Sequence, residues 1–221
     1  MNFVTRCTLT ILFAFSAVVL GDAAQAADDI SKVNGSVKIE PGQQVGDVST
    51  VNGSVTIGAG ARAGEVETVN GSLKIEDKAV VGSAETVNGS ITVGAEAEVQ
   101  KGVDAVNGSL TLRQGAKVAG GLENVNGWML VEGARVAGGI ETVNGDIRLA
   151  TGWHVTGGIH VEEHKSSWWK GKNSRNPRIT IEQGVTVEGP LHFERAVDLY
   201  VAPGVTLPPV EGVQPQRFTG H

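Results

Sequence analysis

The sequence predicts an all-β chain wound as a single-stranded parallel β-helix, a β-solenoid of about nine rungs of 18–19 residues, with a right-handed winding favoured. Three observations predict it. Val-Asn-Gly-Ser recurs at Val33, Val51, Val69, Val87 and Val106, and variant copies follow at Val125 (Val-Asn-Gly-Trp) and Val143 (Val-Asn-Gly-Asp). The start-to-start intervals are 18, 18, 18, 19, 19 and 18 residues, and a fixed short period marks a repeat architecture. Aliphatic residues also hold constant places in every copy, with the period-two alternation of a strand.

The columns justify the individual elements. Four places after the repeat Val stand Val37, Val55, Leu73, Ile91, Leu110, Met129 and Ile147; six places after it stand Ile39, Ile57, Ile75, Val93, Leu112, Val131 and Leu149. Between them lie Lys38, Thr56, Lys74, Thr92, Thr111 and Arg148, so this stretch is a short half-buried strand. A third column runs Val45, Ala63, Val81, Val99, Val118, Val136 and Val155, and a fourth Val48, Val66, Ala84, Val103, Leu122, Ile140 and Ile159. Each repeat therefore holds two or three short strands joined by glycine corners. One repeat alone buries too little to offset its ordering, so the rungs must stack. Aliphatics near places 0, 6 and 12 are also a feature of left-handed hexapeptide helices, but the nineteen-residue rungs depart from a strict hexad.

The corners fall at Asn34-Gly35, Asn52-Gly53, Asn70-Gly71, Asn88-Gly89, Asn107-Gly108, Asn126-Gly127 and Asn144-Gly145. Asn and Gly both tolerate positive φ, and stacked Asn side chains can bond up the column as a ladder. The same dipeptide is the strongest short signal for a type I′ hairpin, which would give an antiparallel meander. Five copies open an Asn-Gly-Ser glycosylation sequon, but the repeat accounts for it without glycosylation.

Composition narrows the function. The 221 residues include 31 glycines, about twice the average share, without the three-residue period of collagen. A formal charge of −6 argues against nucleic acid as a partner, since a binder would carry a basic stripe. Cys7 is the single cysteine, which excludes an internal disulfide or a thiolate metal site. Arg6 precedes the apolar run Thr8 to Leu20, and Ala24-Gln25-Ala26 fits a small-residue cleavage pattern. The expected organisation is therefore a signal peptide at 1–26, regular repeats at 27–161 and a basic Trp-rich insertion at 162–178. Degenerate rungs at 179–213 and a tail at 214–221 complete it. Export to the periplasm or cell surface follows, with cleavage near Ala26.

The two ends differ. Six of the seven prolines lie at or after Pro177, and proline lacks the donor a growing sheet needs. Little chain separates the cleavage point from Val33, so the first rung is expected to be a bare edge and a template for a second copy. The expected partner is the protein itself, as a homo-oligomer through its N-terminal edge, in head-to-head dimers rather than long filaments.

Candidate chemistry is sparse. In the insertion, Trp168 and Trp169 are flanked by Lys165, Lys170 and Lys172, a platform suited to envelope glycan rings or a membrane surface. The plainer reading folds the two rings back over the last rungs. His154, His160 and His164 cluster in sequence; zinc would need their imidazoles to converge, and surface histidines are the simpler reading. No catalytic, metal or cofactor site is assigned. Glu65, Glu67, Glu85 and Glu141 read as a solvated face, and Trp128 and Trp153 as marks of a widened or covered part of the solenoid.

The rung pattern V-N-G-S-[VIL]-x-[IVL]…G…[VA]-x-G resembles bactofilin-type, polymer-forming bacterial β-helices. It is equally similar to exported bacterial repeat proteins called adhesins. The match covers about residues 33–161 well and 178–213 weakly. Bactofilins are cytoplasmic scaffolds that polymerise end to end without nucleotide, so the resemblance implies a non-enzymatic scaffold. This chain departs in its signal peptide, its Trp-rich insertion and its proline-rich end. The other expected roles are a glycan- or lipid-contacting module built on Trp168 and Trp169, and a hexapeptide-type β-helix enzyme.

Overall fold

The computed structural model describes residues 28–150, 152, 154–163 and 175–217. The segment expected to be a signal peptide, Trp153, His164 and the residues Trp168, Trp169, Lys165, Lys170 and Lys172 lie outside the described residues. The described chain is a parallel β-solenoid of about ten coils, one more than the repeat count predicts. All pairings among its named strands are parallel, so the antiparallel hairpin alternative is ruled out. No helix among the described residues is long and apolar enough to cross a membrane.

Each regular rung contributes three strands. The first is three or four residues long, from Val37–Ile39 at the start through Ile91–Val93 to Asp146–Leu149. These seven strands and three beyond them stack into a ten-stranded sheet. A two-residue strand such as Glu98–Val99 and a five-residue strand such as Val103–Asn107 form the other two sides. In Arg62–Asn70 and Val80–Asn88 those two sides run together as one nine-residue strand, which joins them into a single fifteen-stranded sheet.

A single residue separates the two forms. Val81 pairs with Val99, but Ala84 pairs with Val103, so Gln100, Lys101 and Gly102 stand opposite two residues of the preceding rung. This is a β-bulge, which bends the strand and re-aims the side chains beyond the bend. The next four rungs keep the bend and place glycine there, at Gly120, Gly138, Gly157 and Gly189. A Cβ on Gly120 would lie 2.7 Å from the carbonyl carbon of Lys101, and one on Gly157 would lie 2.3 Å from the amide of Gly139.

The core consists of the four expected aliphatic columns, almost all buried, with Val45 and Ala63 packed at its margin. A fifth column, Ala61, Ala79, Ala97, Ala116 and Ala134, is also buried. The repeat Val is not part of this core. It points outward, with Val33 65% exposed, and only Val125 and Val143 are covered, in a small separate cluster with Val106. The inward place beside it belongs to Thr50, Thr68 and Thr86, whose hydroxyls donate to the carbonyls of Gly35, Gly53 and Gly71 at 3.2, 2.9 and 3.1 Å.

The Asn-Gly corners follow the sequence reading only in part: Gly35, Gly89 and Gly127 have positive φ, at 104°, 159° and 136°. No Asn among the described residues has positive φ. The glycines are needed chiefly because the rungs touch there: a Cβ on Gly71 would stand 2.0 Å from the carbonyl oxygen of Gly53. A more regular left-handed column lies elsewhere in the rung, at Gly42, Gly60, Gly115, Gly133, Gly152, Gly184 and Gly204, with Lys78 (φ 59°) and Glu96 (φ 57°) in the same column.

Candidate functional site

The expected Asn ladder is present. Each amide nitrogen donates to the side-chain oxygen one rung earlier: Asn52 to Asn34 at 3.1 Å, Asn70 to Asn52 and Asn88 to Asn70 at 3.0 Å, and Asn107 to Asn88 at 3.1 Å. Asn126 to Asn107 and Asn144 to Asn126 continue it at 3.0 Å. A parallel series runs through the serines, with the amide of Ser72 donating to Ser54 Oγ at 3.2 Å. These contacts are structural, and they fix the outer face beside them.

On that face, strand alternation aligns the residues two places before each repeat Val. The register runs Ser49, Glu67, Glu85, Asp104, Glu123 and Glu141, and then His160, His192 and Glu211. Five successive carboxyl groups are therefore stacked at about the 4.8 Å spacing of strands. The solvated-face reading of these acids needs correction, because the middle of the column is only partly exposed. Burial, reinforced by Glu67, Glu65 and Glu123, pushes the Glu85 carboxyl up to about 7 against the relief of Lys101. Burial, with Glu123, Glu85 and Glu141, pushes Asp104 up to about 8. Glu67 is raised as well, by burial and then by Glu65 and Asp47. Glu85 and Asp104 therefore hold their protons near neutrality. Lys101, on the bulge, reaches across two rungs to Glu65 at 2.6 Å.

The column ends in a histidine cluster. His160 and His192 have ring centroids 5.2 Å apart, although 31 positions separate them in the chain. His160 Nε2 lies 3.4 Å from Glu194, and His192 Nδ1 lies 2.9 Å from Glu211. The structure does not gather the sequence cluster of His154 and His160: His154 sits on another strand column and pairs with Glu188 at 3.1 Å. Sequence spacing missed His192, although Ile159-His160-Val161 and Leu191-His192-Phe193 share one pattern on either side of the insertion.

The described ends of the insertion are anchored. The guanidinium of Arg175 grips Asp146 with two bonds of 3.2 and 2.6 Å, and the amide of Arg178 donates to the same carboxylate at 2.8 Å. Across the gap, the amide of Glu163 donates to Glu194 at 3.1 Å. Trp128 pairs in register with Asp146 and is 47% exposed. It is not covered by the described residues, and its strand keeps register with both neighbours, so the backbone is not widened there.

Fold and surface together define a parallel β-solenoid repeat protein with one acidic–histidine face. No protein-family model matches the sequence, and comparison with curated proteins and with solved structures finds no significant match.

Proposed function

We propose that this chain is a non-enzymatic exported scaffold or interaction protein of the bacterial cell envelope, of bactofilin-like or adhesin-like type, that associates with itself through its N-terminal rung. The supporting observation is the first coil. Among the described residues, Ile30–Asn34 pairs only with Val48–Asn52, and Val37–Ile39 only with Val55–Ile57. One edge of each strand is thereby open to a second copy. Lys32 stands at the register place held by the inward Thr50 of the next rung. The far end carries Pro203, Pro208, Pro209 and Pro215, which cannot donate to a further strand, so a closed head-to-head pair is favoured over a filament. Light scattering on the purified protein is expected to give a dimer, and the Ser31→Lys/Val33→Lys variant a monomer. A monomeric wild type would reject the reading.

A second reading rests on exposed Trp128 beside the Arg175–Asp146 clamp. Here the solenoid presents the Trp128 ring to a sugar ring of the envelope, with Trp168 and Trp169, outside the described residues, as the other candidate contacts. Pull-down on peptidoglycan by wild type but not by Trp128→Ala or Trp168→Ala/Trp169→Ala would favour it. Equal pull-down by all three would remove it.

A further inference from the structure

We propose that His160, His192 and Glu194 form a zinc-class metal site that staples together the two rungs on either side of the insertion. One ligand atom from each of these residues lies within 4.8 Å of the others. A second triad, Glu141, His160 and Glu162, meets the same condition and shares His160. Imidazole with carboxylate is a zinc donor set, and Zn–N and Zn–O bonds of about 2.0–2.1 Å place neighbouring tetrahedral ligand atoms about 3.3 Å apart. The 3.4 Å between His160 Nε2 and Glu194 Oε1 is close to that edge.

Two further features favour a ligand over a simple ion pair. His160 Nε2 is buried and makes no hydrogen bond of acceptable geometry, although a buried polar atom normally finds one. His192 Nδ1 lies 2.9 Å from Glu211 Oε2. A carboxylate only accepts, so the proton sits on Nδ1 and the lone pair on Nε2. That is the carboxylate–histidine arrangement that orients zinc ligands and raises their basicity. Glu141 and Glu162 stand beside His160 and add negative charge around the cation.

The site spans the two rungs that flank the insertion. His160 lies on the last strand before the insertion, Ile159–Val161, and His192 is on the strand stacked against it, Leu191–Phe193. A metal there ties the two rungs where the chain leaves and returns.

The test is equilibrium dialysis of the purified protein against zinc chloride, with Co2+ absorption reporting coordination geometry. One zinc per chain is expected, with tetrahedral Co2+ bands. Affinity is expected to fall tenfold or more in His192→Gln and in Glu194→Gln, both at exposed positions whose folding circular dichroism would check. His154→Gln, which removes a histidine–glutamate pair on another column, is expected to bind as wild type does. Zinc uptake by wild type no greater than by the His192→Gln/Glu194→Gln double variant would overturn the proposal. Equal loss in His154→Gln would overturn it too.

Discussion

Arg195 donates to the side-chain oxygen of Asn144 at 2.6 Å and to the carbonyl of Val143 at 3.0 Å. The amide ladder that starts at Asn34 therefore ends on a guanidinium. Every link points the same way, so the last oxygen is the acceptor end of an aligned row of dipoles, and a cation is the group that best completes it. Arg195 lies 51 residues beyond Asn144 in the chain, so its contact also holds the degenerate rungs against the regular ones.

Removing that guanidinium should loosen the junction. Arg195→Ala is expected to cost about 1–2 kcal/mol, the range of a charge-assisted hydrogen bond that is only partly buried. Hydrogen exchange should speed up first around Val143 and Asn144, since stability in a solenoid is set by neighbouring rungs. Unchanged exchange there would reject the role.

The glycines of the Asn-Gly corner should be irreplaceable for a steric reason. Gly71→Ala is expected to destabilise by several kcal/mol, because its Cβ would meet the Gly53 carbonyl oxygen at 2.0 Å. Gly60→Ala, with open space around its Cβ and φ of +66°, should cost only the left-handed penalty of about 1–2 kcal/mol. Urea denaturation of the two variants separates contact from conformation.

The opposite change should stabilise the protein. Lys78 and Glu96 occupy the left-handed column that glycine fills in the other rungs. Lys78→Gly and Glu96→Gly are each expected to gain up to about 1 kcal/mol, read as a rise in melting temperature. A fall in both would show that their side chains contribute more than the strain costs.

The acidic column predicts a pH dependence of defined sign. Glu85 and Asp104 titrate near 7 and 8 in the folded protein, against ordinary values of 4.5 and 3.8. Between those limits the folded chain holds protons that the unfolded chain has released. Stability from these groups is therefore fully present below about pH 4, falls as pH rises to about 8, and is level above. Asp104→Asn is expected to flatten the slope and raise the melting temperature at pH 9 relative to wild type. An unchanged slope would mean that the column stays hydrated and fully ionised.

The parallel fold, the aliphatic columns and the Asn ladder were legible because identical residues recur at one period, and the period alone stacks them. The direction of the repeat Val was not. In Thr-Val-Asn-Gly, hydrophobicity argues for Val inside, but the Thr hydroxyl finds a glycine carbonyl one rung away, and alternation then sends Val out. The number of rungs was underestimated because the last coil has lost the repeat, surviving as Val210–Glu211 and Gln216–Arg217. Asp104 and Glu123 were missed as members of an acidic column because the 19-residue rungs shift their count. The partnership of His160 with His192 was hidden by the insertion, which separates in sequence two strands adjacent in space.

The bulge at Gln100–Gly102 acts on this chain as an edge dislocation acts on a crystal. One extra residue on one side of one layer offsets that side of every layer laid down after it, and the fault is healed only by leaving the lattice. A rung duplicated from before residue 100 and spliced in after it would arrive one residue short on the offset side. A copy made within either half keeps the register, whereas one carried across residue 100 has to gain or lose a residue to fit.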